Sequence, residues 1–139
     1  MRIGISGKAE LLAAALSMKA LRPVKMVYSR EEDFIASDTR HGGYMHARLG
    51  AKKDGTFVAL DTTAKLNTGA YCTFGVELLA VCGVCGTAGT YHIPFLRYMG
   101  YPVYPNQQSA GAFRGFGPPP GPAVVEACVD KLRSAGKQG

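Results

Sequence analysis

The sequence predicts an α+β fold in which helices flank a mixed or antiparallel β-sheet. Two alternating apolar runs meet at Asp54-Gly55, and Asp-Gly between such runs is the strongest short-range signal for a β-hairpin. Helical periodicity appears near both ends of the chain. The resulting order of helix, strands, glycine-rich stretch, strand, loop and helix is typical of an α+β domain.

Composition places the chain among globular proteins. It has 139 residues, of which 47% are hydrophobic and 19% charged, so we expect residues 1–139 to form a single domain with a packed core. No apolar run approaches the roughly 18 residues of a membrane span, and the first residues contain no apolar signal-peptide core. These features predict a cytoplasmic protein without a membrane partner. Its four cysteines are then not expected to form structural disulfides.

The positive charge of the chain is scattered. Sixteen Lys and Arg residues against ten Asp and Glu residues leave a formal charge of +6, yet no long basic run occurs. A nucleic-acid-binding protein normally clusters its basic residues on one face. We therefore expect no nucleic-acid partner, and such a charge is compatible with modest attraction for an anionic cofactor or substrate.

Three elements are predicted in the first third of the chain. Residues 8–21 have helical periodicity, with a broad apolar stripe, and Pro23 follows them. Residues 24–28 alternate and are rich in strand formers, which predicts a strand. Ser29 is a candidate N-cap for a short helix beginning at Arg30, with acidic residues in its first turn.

Strands dominate the next part. Residues 45–49 and 57–66 form the two arms of the hairpin, and residues 97–104 read as a further strand that Pro102 restricts to an edge or an end. Residues 76–81 suit a short helix, after which we expect the glycines at 83, 86 and 89 to break the structure. Residues 123–132 form an amphipathic helix, and the last residues, 134–139, read as a frayed end.

The loop of residues 110–117, Ala-Gly-Ala-Phe-Arg-Gly-Phe-Gly, is the best candidate for a ligand contact. Small residues permit close backbone approach and unusual dihedral angles. The arginine offers donors to an oxyanion, and the two rings offer faces to a planar organic group. The prolines that follow keep the segment out of helix and sheet. A second, weaker anion-binding candidate is the Gly4–Lys8 segment before the first helix.

Three other patterns carry less weight. Arg114-Gly115-Phe116-Gly117 matches the start of an RNA-reading strand motif, but three prolines follow where a strand is required. Cys82 and Cys85 have metal-ligand spacing, yet a zinc site usually needs two such pairs, so we interpret both as small apolar fillers. The three histidines form no catalytic or metal-binding set, and surface or capping roles are expected for them.

The series of segments resembles the molybdenum-binding subunit of the xanthine dehydrogenase/aldehyde oxidase family, the molybdenum hydroxylases. The resemblance covers most of the chain, in order: a degraded glycine loop at 4–8, Arg-Pro-Val-Lys at 22–25, Ser-Arg-Glu-Glu-Asp-Phe at 29–34, Thr-Arg-His at 39–41, Lys-Asp-Gly-Thr at 53–56, Thr-Gly-Ala-Tyr at 68–71, Tyr-His-Ile-Pro at 91–94 and Gly-Ala-Phe-Arg-Gly-Phe-Gly at 111–117. The last segment is highly characteristic of the family.

The resemblance implies a fold, a cofactor and an activity. The fold would be part of the aldehyde oxidase/xanthine dehydrogenase molybdopterin-binding domain. The cofactor would be molybdenum held by molybdopterin, in the cytosine dinucleotide form in many bacteria. Family members hydroxylate aldehydes or N-heteroaromatic rings with oxygen from water. Electrons leave through iron–sulfur clusters and FAD, which would lie on partner domains or subunits.

The resemblance also assigns residues. It implies that the cofactor is contacted by Gly4, Ile5, Ser6, Gly7, Ala112, Phe113, Arg114 and Gly115, and that Phe116 bounds the substrate pocket. It assigns no catalytic residue and no metal ligand to this chain, because the family's catalytic glutamate has no counterpart after Asp130. Residues 1–139 are thus expected to form a single partial molybdopterin-binding domain that works with other parts of the molybdenum subunit, as a fragment of an oxidoreductase. The alternative is a metal-free binding domain that has kept the fold.

Overall fold

The computed structural model describes residues 7–136 and shows helices around a three-stranded sheet. The elements in chain order are α1 (Lys8–Ala20), α2 (Arg30–Ala36), β1 (Gly43–Ala51), β2 (Phe57–Asn67), α3 (Gly75–Val81), a π-helical segment (Cys82–Thr87), β3 (Phe95–Val103) and α4 (Pro120–Gly136).

The predicted hairpin is confirmed. Strands β1 and β2 pair antiparallel, with Leu49 opposite Leu60 and Met45 opposite Ala64. The turn between them is closed by hydrogen bonds from the Lys52 amide to the Thr56 carbonyl and from the Thr56 amide to the Asp54 carboxylate. Since side chains alternate along a strand, this register directs every second residue of β2 into the core.

The sheet is mixed, as predicted, because β3 runs parallel to β2. The strand order is β1-β2-β3, so β3 lies at an edge, where Pro102 is tolerated. The parallel connection is made by α3 and the π-helical segment. There the predicted break is wrong at Gly83 and Gly86, which lie within the π-helical segment, whereas that segment does end before Gly89, at Thr87. A Cβ at Gly83 would stand 2.7 Å from the Tyr98 ring and one at Gly86 would stand 3.0 Å from the Gly121 Cα. These glycines permit close packing instead of ending the helix.

The core lies on one face of the sheet, beneath α3 and α4. Ala64 and Leu66 of β2 pack against Leu78 and Leu79 of α3, and Met45, Tyr98 and Phe116 close the cluster from the side. Val125 of α4 is fully buried. The loop that carries Phe116 is thereby attached to the core directly.

The short helix and its cap are confirmed. Ser29 and Glu32 form a reciprocal capping box, in which the Glu32 amide donates to the Ser29 hydroxyl and the Ser29 amide donates to the Glu32 carboxylate. The C-terminal helix is longer than predicted. It begins inside the proline cluster at Pro120, because proline is well tolerated in the first turn of a helix, and it continues to Gly136 where a frayed end was expected.

Two expectations for the first third of the chain need correction. Residues 24–28 form no strand, although Val24, Met26 and Tyr28 are half-buried while Lys25 and Val27 are exposed. The alternation is real, but no neighbouring strand pairs with the segment in the described part of the chain. The second correction concerns the apolar stripe of α1: the helix ends at Ala20, one residue before the predicted end, and none of its residues is buried. None of the described helices is long and apolar enough to span a membrane.

Candidate functional site

The loop of residues 110–117 is anchored at its start by backbone hydrogen bonds to two other segments. Thr39 pairs with Ala110 in a parallel bridge, through bonds from the Thr39 amide to the Ser109 carbonyl and from the Gly111 amide to the Thr39 carbonyl. On the other side, the Ala110 amide donates to the Thr68 carbonyl and the Thr73 hydroxyl donates to the Ala110 carbonyl. With its buried backbone satisfied in this way, the start of the loop is rigid.

Arg40 holds the middle of the loop. Its guanidinium carbon lies 4.4 Å from the centroid of the Phe113 ring, and the guanidinium also donates to the carbonyl of Arg114. A guanidinium has a flat face for a ring and several edge donors for a carbonyl, so it can make both contacts at once. Sequence reasoning gave Arg40 no role. Its only signal was membership of the Thr-Arg-His segment in the family resemblance.

The end of the loop has an unusual backbone. Gly115, Phe116 and Gly117 have φ angles of +99°, +29° and +102°, so three consecutive residues lie in the region that favours glycine. A side-chain-bearing residue such as Phe116 is strained there, and such strain concentrates at ligand sites. The strain is offset by packing, because the Phe116 ring contacts the core and stands edge-on to Phe74, with 5.9 Å between ring centroids.

The loop glycines are required by contacts within the chain. A Cβ at Gly111 would stand 2.5 Å from the Asp38 carboxylate, one at Gly115 would stand 2.5 Å from the Pro119 ring, and one at Gly117 would stand 2.8 Å from the Leu78 carbonyl. The sequence suggested that small residues serve the approach of a ligand. The structure shows that close internal packing already demands them.

The start of α1 lies close to the loop. Lys8, at the start of α1, forms a 2.8 Å ion pair with Asp38, and Asp38 in turn packs against Gly111. Gly7 precedes α1 with a φ of +57° and accepts a hydrogen bond from the Leu11 amide. The other three predicted residues of this segment, Gly4, Ile5 and Ser6, lie outside the described residues.

The predicted cofactor residues of the loop differ in exposure. Ala112 is buried, Phe113 is half-buried beneath Arg40, and Arg114 and Gly115 are exposed. No ion pair to the Arg114 guanidinium occurs within residues 7–136. The loop therefore presents an uncompensated positive charge from a backbone that is held in place.

His41 corrects a prediction, since it is buried rather than on the surface. Neither ring nitrogen has a hydrogen-bond partner among residues 7–136, and burial, which outweighs the neighbouring Asp38 carboxylate, lowers the pKa of the imidazole. An imidazolium would lose its hydration there without gaining a hydrogen bond, so the neutral ring is favoured.

The cysteines build no metal centre in the described part of the chain. No three side chains of the His, Cys, Asp or Glu types come together there in a way that could hold a metal ion. Cys82 is buried as expected of an apolar filler, and burial raises its pKa, but Cys85 is exposed and fills no core position.

Fold and site together have the features of a cofactor-binding domain. Comparison with known proteins identifies the family to which this domain belongs. Residues 5–135 match the family model of the molybdopterin cofactor-binding domain. The chain is 37% identical, over 136 residues, to the large molybdopterin subunit of nicotinate dehydrogenase from Eubacterium barkeri, covering 95% of this chain and 32% of the relative. It is also 32% identical over 127 residues to an aldehyde oxidoreductase of Megalodesulfovibrio gigas, covering 91% of this chain and 14% of the relative.

Solved structures give the same result. The aldehyde oxidoreductase of Desulfovibrio gigas superposes on 93% of this chain with a TM-score of 0.81 and 30% sequence identity, and this region is 14% of its chain. Quinoline 2-oxidoreductase of Pseudomonas putida 86 superposes on 91% with a TM-score of 0.76 and 25% identity, and this region is 16% of its chain.

The chain belongs to the molybdopterin cofactor-binding domain family of the molybdenum hydroxylases. It spans about a third or less of the length of the relatives described above. The donor set of the loop fits such a cofactor, because an exposed guanidinium suits an anionic group and the fixed Phe113 ring suits a planar one.

Proposed function

We propose that this chain forms one wall of the cofactor site in a molybdenum hydroxylase, and that residues 1–139 act as a single part of a larger molybdopterin-binding subunit. The observation that carries the proposal is the position of Arg40. By holding Phe113 and the Arg114 carbonyl, it leaves the Arg114 side chain exposed and without an ion-pair partner in the described residues. Because the backbone that carries this cation is already held, binding an anion needs only the Arg114 side chain to become ordered.

In this proposal the cofactor is bound from two sides. The loop side is Ala112, Phe113, Arg114 and Gly115, with the Arg114 guanidinium donating to anionic oxygens of the cofactor. The other side is Gly4, Ile5, Ser6 and Gly7. The ion pair between Lys8 and Asp38, together with the packing of Asp38 on Gly111, supports the proximity of Gly7 to the loop. The cytosine dinucleotide form is proposed as the specific form of the cofactor.

Phe116 is proposed to bound the substrate pocket. Its contact with Phe74 and with the core fixes the ring plane, while the side chain is only half-buried. A ring held in one orientation can confine a flat substrate by stacking or edge contact. The proposed substrates are aldehydes and N-heteroaromatic rings, in line with relatives named for aldehydes, quinoline and nicotinate.

The bound molybdenum cofactor would supply two-electron oxidation of the substrate carbon, with oxygen from water. The residues of this chain would bind and orient the cofactor and hold the substrate. The catalytic base, the iron–sulfur clusters and the FAD are proposed to lie on other parts of the molybdenum subunit and on partner subunits. The cytoplasmic location stays a prediction from the sequence.

One observation favours a second candidate, the metal-free binding domain that has kept the fold. The glycines at 111, 115 and 117 are needed for packing within the chain, so their presence does not require a ligand. In that case Arg114 would serve a different anionic partner or none.

Molybdenum and pterin content per chain separates the two candidates. The protein is purified from its native host by size exclusion, molybdenum is measured by elemental analysis, and the pterin and any released cytosine nucleotide are measured by fluorescence and mass spectrometry. Near-stoichiometric molybdenum and pterin in a complex containing this chain supports the hydroxylase. Absence of both from chain that remains folded supports the metal-free domain.

A further inference from the structure

The outer face of the sheet, which is the face turned away from the core, carries a row of three charged side chains. Asp61 lies between the buried residues Leu60 and Thr62 along β2, so its side chain points to the face opposite the core. In the sheet register, Arg48 of β1 and Arg97 of β3 stand directly on either side of Asp61. Two cations therefore share one carboxylate on this face.

The two arginines share the carboxylate unequally. Arg97 donates through Nε to one oxygen of Asp61 and through Nη2 to the other, both at 2.8 Å, whereas Arg48 donates through Nη2, at 2.6 Å. The carboxylate compensates one of the two charges, and the side chains of Arg48 and Arg97 remain 70% and 67% exposed. The row thus has one positive charge in excess, and the Arg48 guanidinium has further N–H groups that an external oxyanion can accept from.

A depression with a volume of about 670 Å³ lies beside this row. Its floor consists of small residues, because the next row of the outer face pairs Gly50 with Ala59 and Ala59 with Phe95. The exposed Phe95 ring and the neighbouring Pro94 add apolar surface. Ligand pockets in proteins measure roughly 300–1,000 Å³ and combine apolar walls with a few orienting polar groups, and this depression has both features.

We propose that the depression binds a small organic monoanion in which a carboxylate is attached to a flat apolar ring. The carboxylate accepts hydrogen bonds from Arg48, and the ring lies over Gly50 and Ala59 against Phe95. A monoanion matches the single excess charge, whereas a phosphate monoester carries about −1.5 to −2 at neutral pH. Phe116 packs on the core, on the other side of the sheet, so this site is separate from the proposed cofactor and substrate contacts.

Isothermal titration calorimetry with three probes that share one ring system tests the proposal. 2-Naphthoate is the monoanion, 2-naphthamide is the neutral analogue, and 2-naphthyl phosphate is the more highly charged one. We expect 2-naphthoate to bind the purified natural gene product saturably, with a Kd below about 1 mM. It should bind at least ten times more tightly than the amide, and more tightly than the phosphate. An amide that binds equally well, or a phosphate that binds more tightly, would contradict the assigned ligand class.

An arginine variant tests whether the excess charge holds the carboxylate. Arg48→Gln removes that charge and leaves the paired hydrogen bonds between Arg97 and Asp61, so 2-naphthoate should bind at least tenfold more weakly. Arg133→Gln, in the last turn of α4, is the matched control and should leave the Kd unchanged. If Arg48→Gln also leaves the Kd unchanged, the probe binds elsewhere and the proposal is overturned.

A glycine variant tests whether the ring occupies the depression. A Cβ at Gly50 would stand 3.8 Å from the Ala59 carbonyl, an ordinary contact, so Gly50→Leu should fill the floor without a clash and weaken 2-naphthoate binding at least tenfold. Gly42→Leu, in open space, is the control and should bind as the unchanged chain does. Equal binding by the two glycine variants would overturn the proposal. Melting temperatures establish that each variant is folded, and if Gly50→Leu is not, the result for Arg48→Gln decides.

The titrations need no molybdenum, so their outcome is independent of the proposed function. Loss of the cofactor proposal leaves this site standing, and failure of 2-naphthoate to bind rejects this site alone.

Discussion

The guanidinium of Arg40 lies 4.4 Å from the ring centroid of Phe113, although the two residues are far apart in sequence. The same guanidinium donates to the carbonyl of the next residue, Arg114. Arg40 therefore holds both the Phe113 ring and the backbone of Arg114, the residue proposed to contact the cofactor through its side chain. Binding chemistry attributed to the loop depends on a residue outside it.

Replacing Arg40 with Gln is expected to loosen the loop. The variant loses a cation–π contact and a charge-assisted hydrogen bond, which together predict a destabilisation of about 1–2 kcal/mol. We expect molybdenum content to fall as well, because the loop is no longer preorganised. Urea unfolding and elemental analysis measure the two effects. Arg133→Gln, in the last turn of α4, is the control and should change neither by much.

Replacing Arg114 with Ala is expected to separate cofactor binding from stability. The side chain is exposed, so the free energy of unfolding should change by less than about 0.5 kcal/mol. Cofactor retention should drop, since the uncompensated cation is lost. Molybdenum and pterin content of the purified complex give the result. Unchanged content would show that Arg114 does not contact the cofactor.

Replacing Gly117 with Ala is expected to destabilise the fold by about 3 kcal/mol or more, because a positive φ combines with a Cβ 2.8 Å from the Leu78 carbonyl. Two controls separate these causes. Gly55→Ala, with a positive φ in open space, should cost about 1 kcal/mol, and Gly42→Ala, in open space with no positive φ, should cost almost nothing.

Gly115→Val should also be damaging, because its Cβ would stand 2.5 Å from the Pro119 ring at a φ of +99°. Thermal melts of the variants at Gly42, Gly55, Gly115 and Gly117 test the predicted order of destabilisation. Equal stability of the Gly42 and Gly117 variants would contradict the packing described for the loop.

The buried imidazole of His41 is expected to make the chain sensitive to mild acid. Burial lowers its pKa from 6.5, so below that pH the unfolded chain binds a proton that the folded chain does not. The free energy of unfolding should therefore fall as the pH drops from about 6.5 towards the lowered pKa of the folded chain. His41→Phe should flatten this part of the profile, and the exposed His46→Phe should not.

Asp61 is expected to change the stability of the chain at a lower pH than His41 does. Hydrogen bonds from Arg97 and Arg48 hold the pKa of this carboxyl well below its usual range. The stabilisation is present above the ordinary carboxyl pKa, about 4, and is lost as the pH falls through the lower value of the folded chain. Nuclear magnetic resonance titration should show this pKa rising in Arg97→Gln. A titration near pH 4 in the unchanged chain would contradict the paired geometry.

Local features were predictable where a short stretch of sequence contains the whole cause. Asp54-Gly55 sets a turn, Ser29 and Glu32 cap a helix three residues apart, and Pro102 confines β3 to an edge. The prediction failed at residues 24–28, where alternation occurs without a pairing strand. Alternation reports which side chains face inward, but a strand also needs a hydrogen-bonded neighbour.

The sequence by itself determined the α+β class, the hairpin, the two terminal helices and the candidate loop, since each follows from periodicity, turn chemistry or the family resemblance. Only the tertiary structure decided that Arg40 holds the loop, that His41 is buried, that Lys8 at the start of α1 pairs with Asp38, and that the leucines of α1 face solvent. These facts depend on contacts between residues distant in the chain, and a local pattern contains no information about which distant surface it will meet.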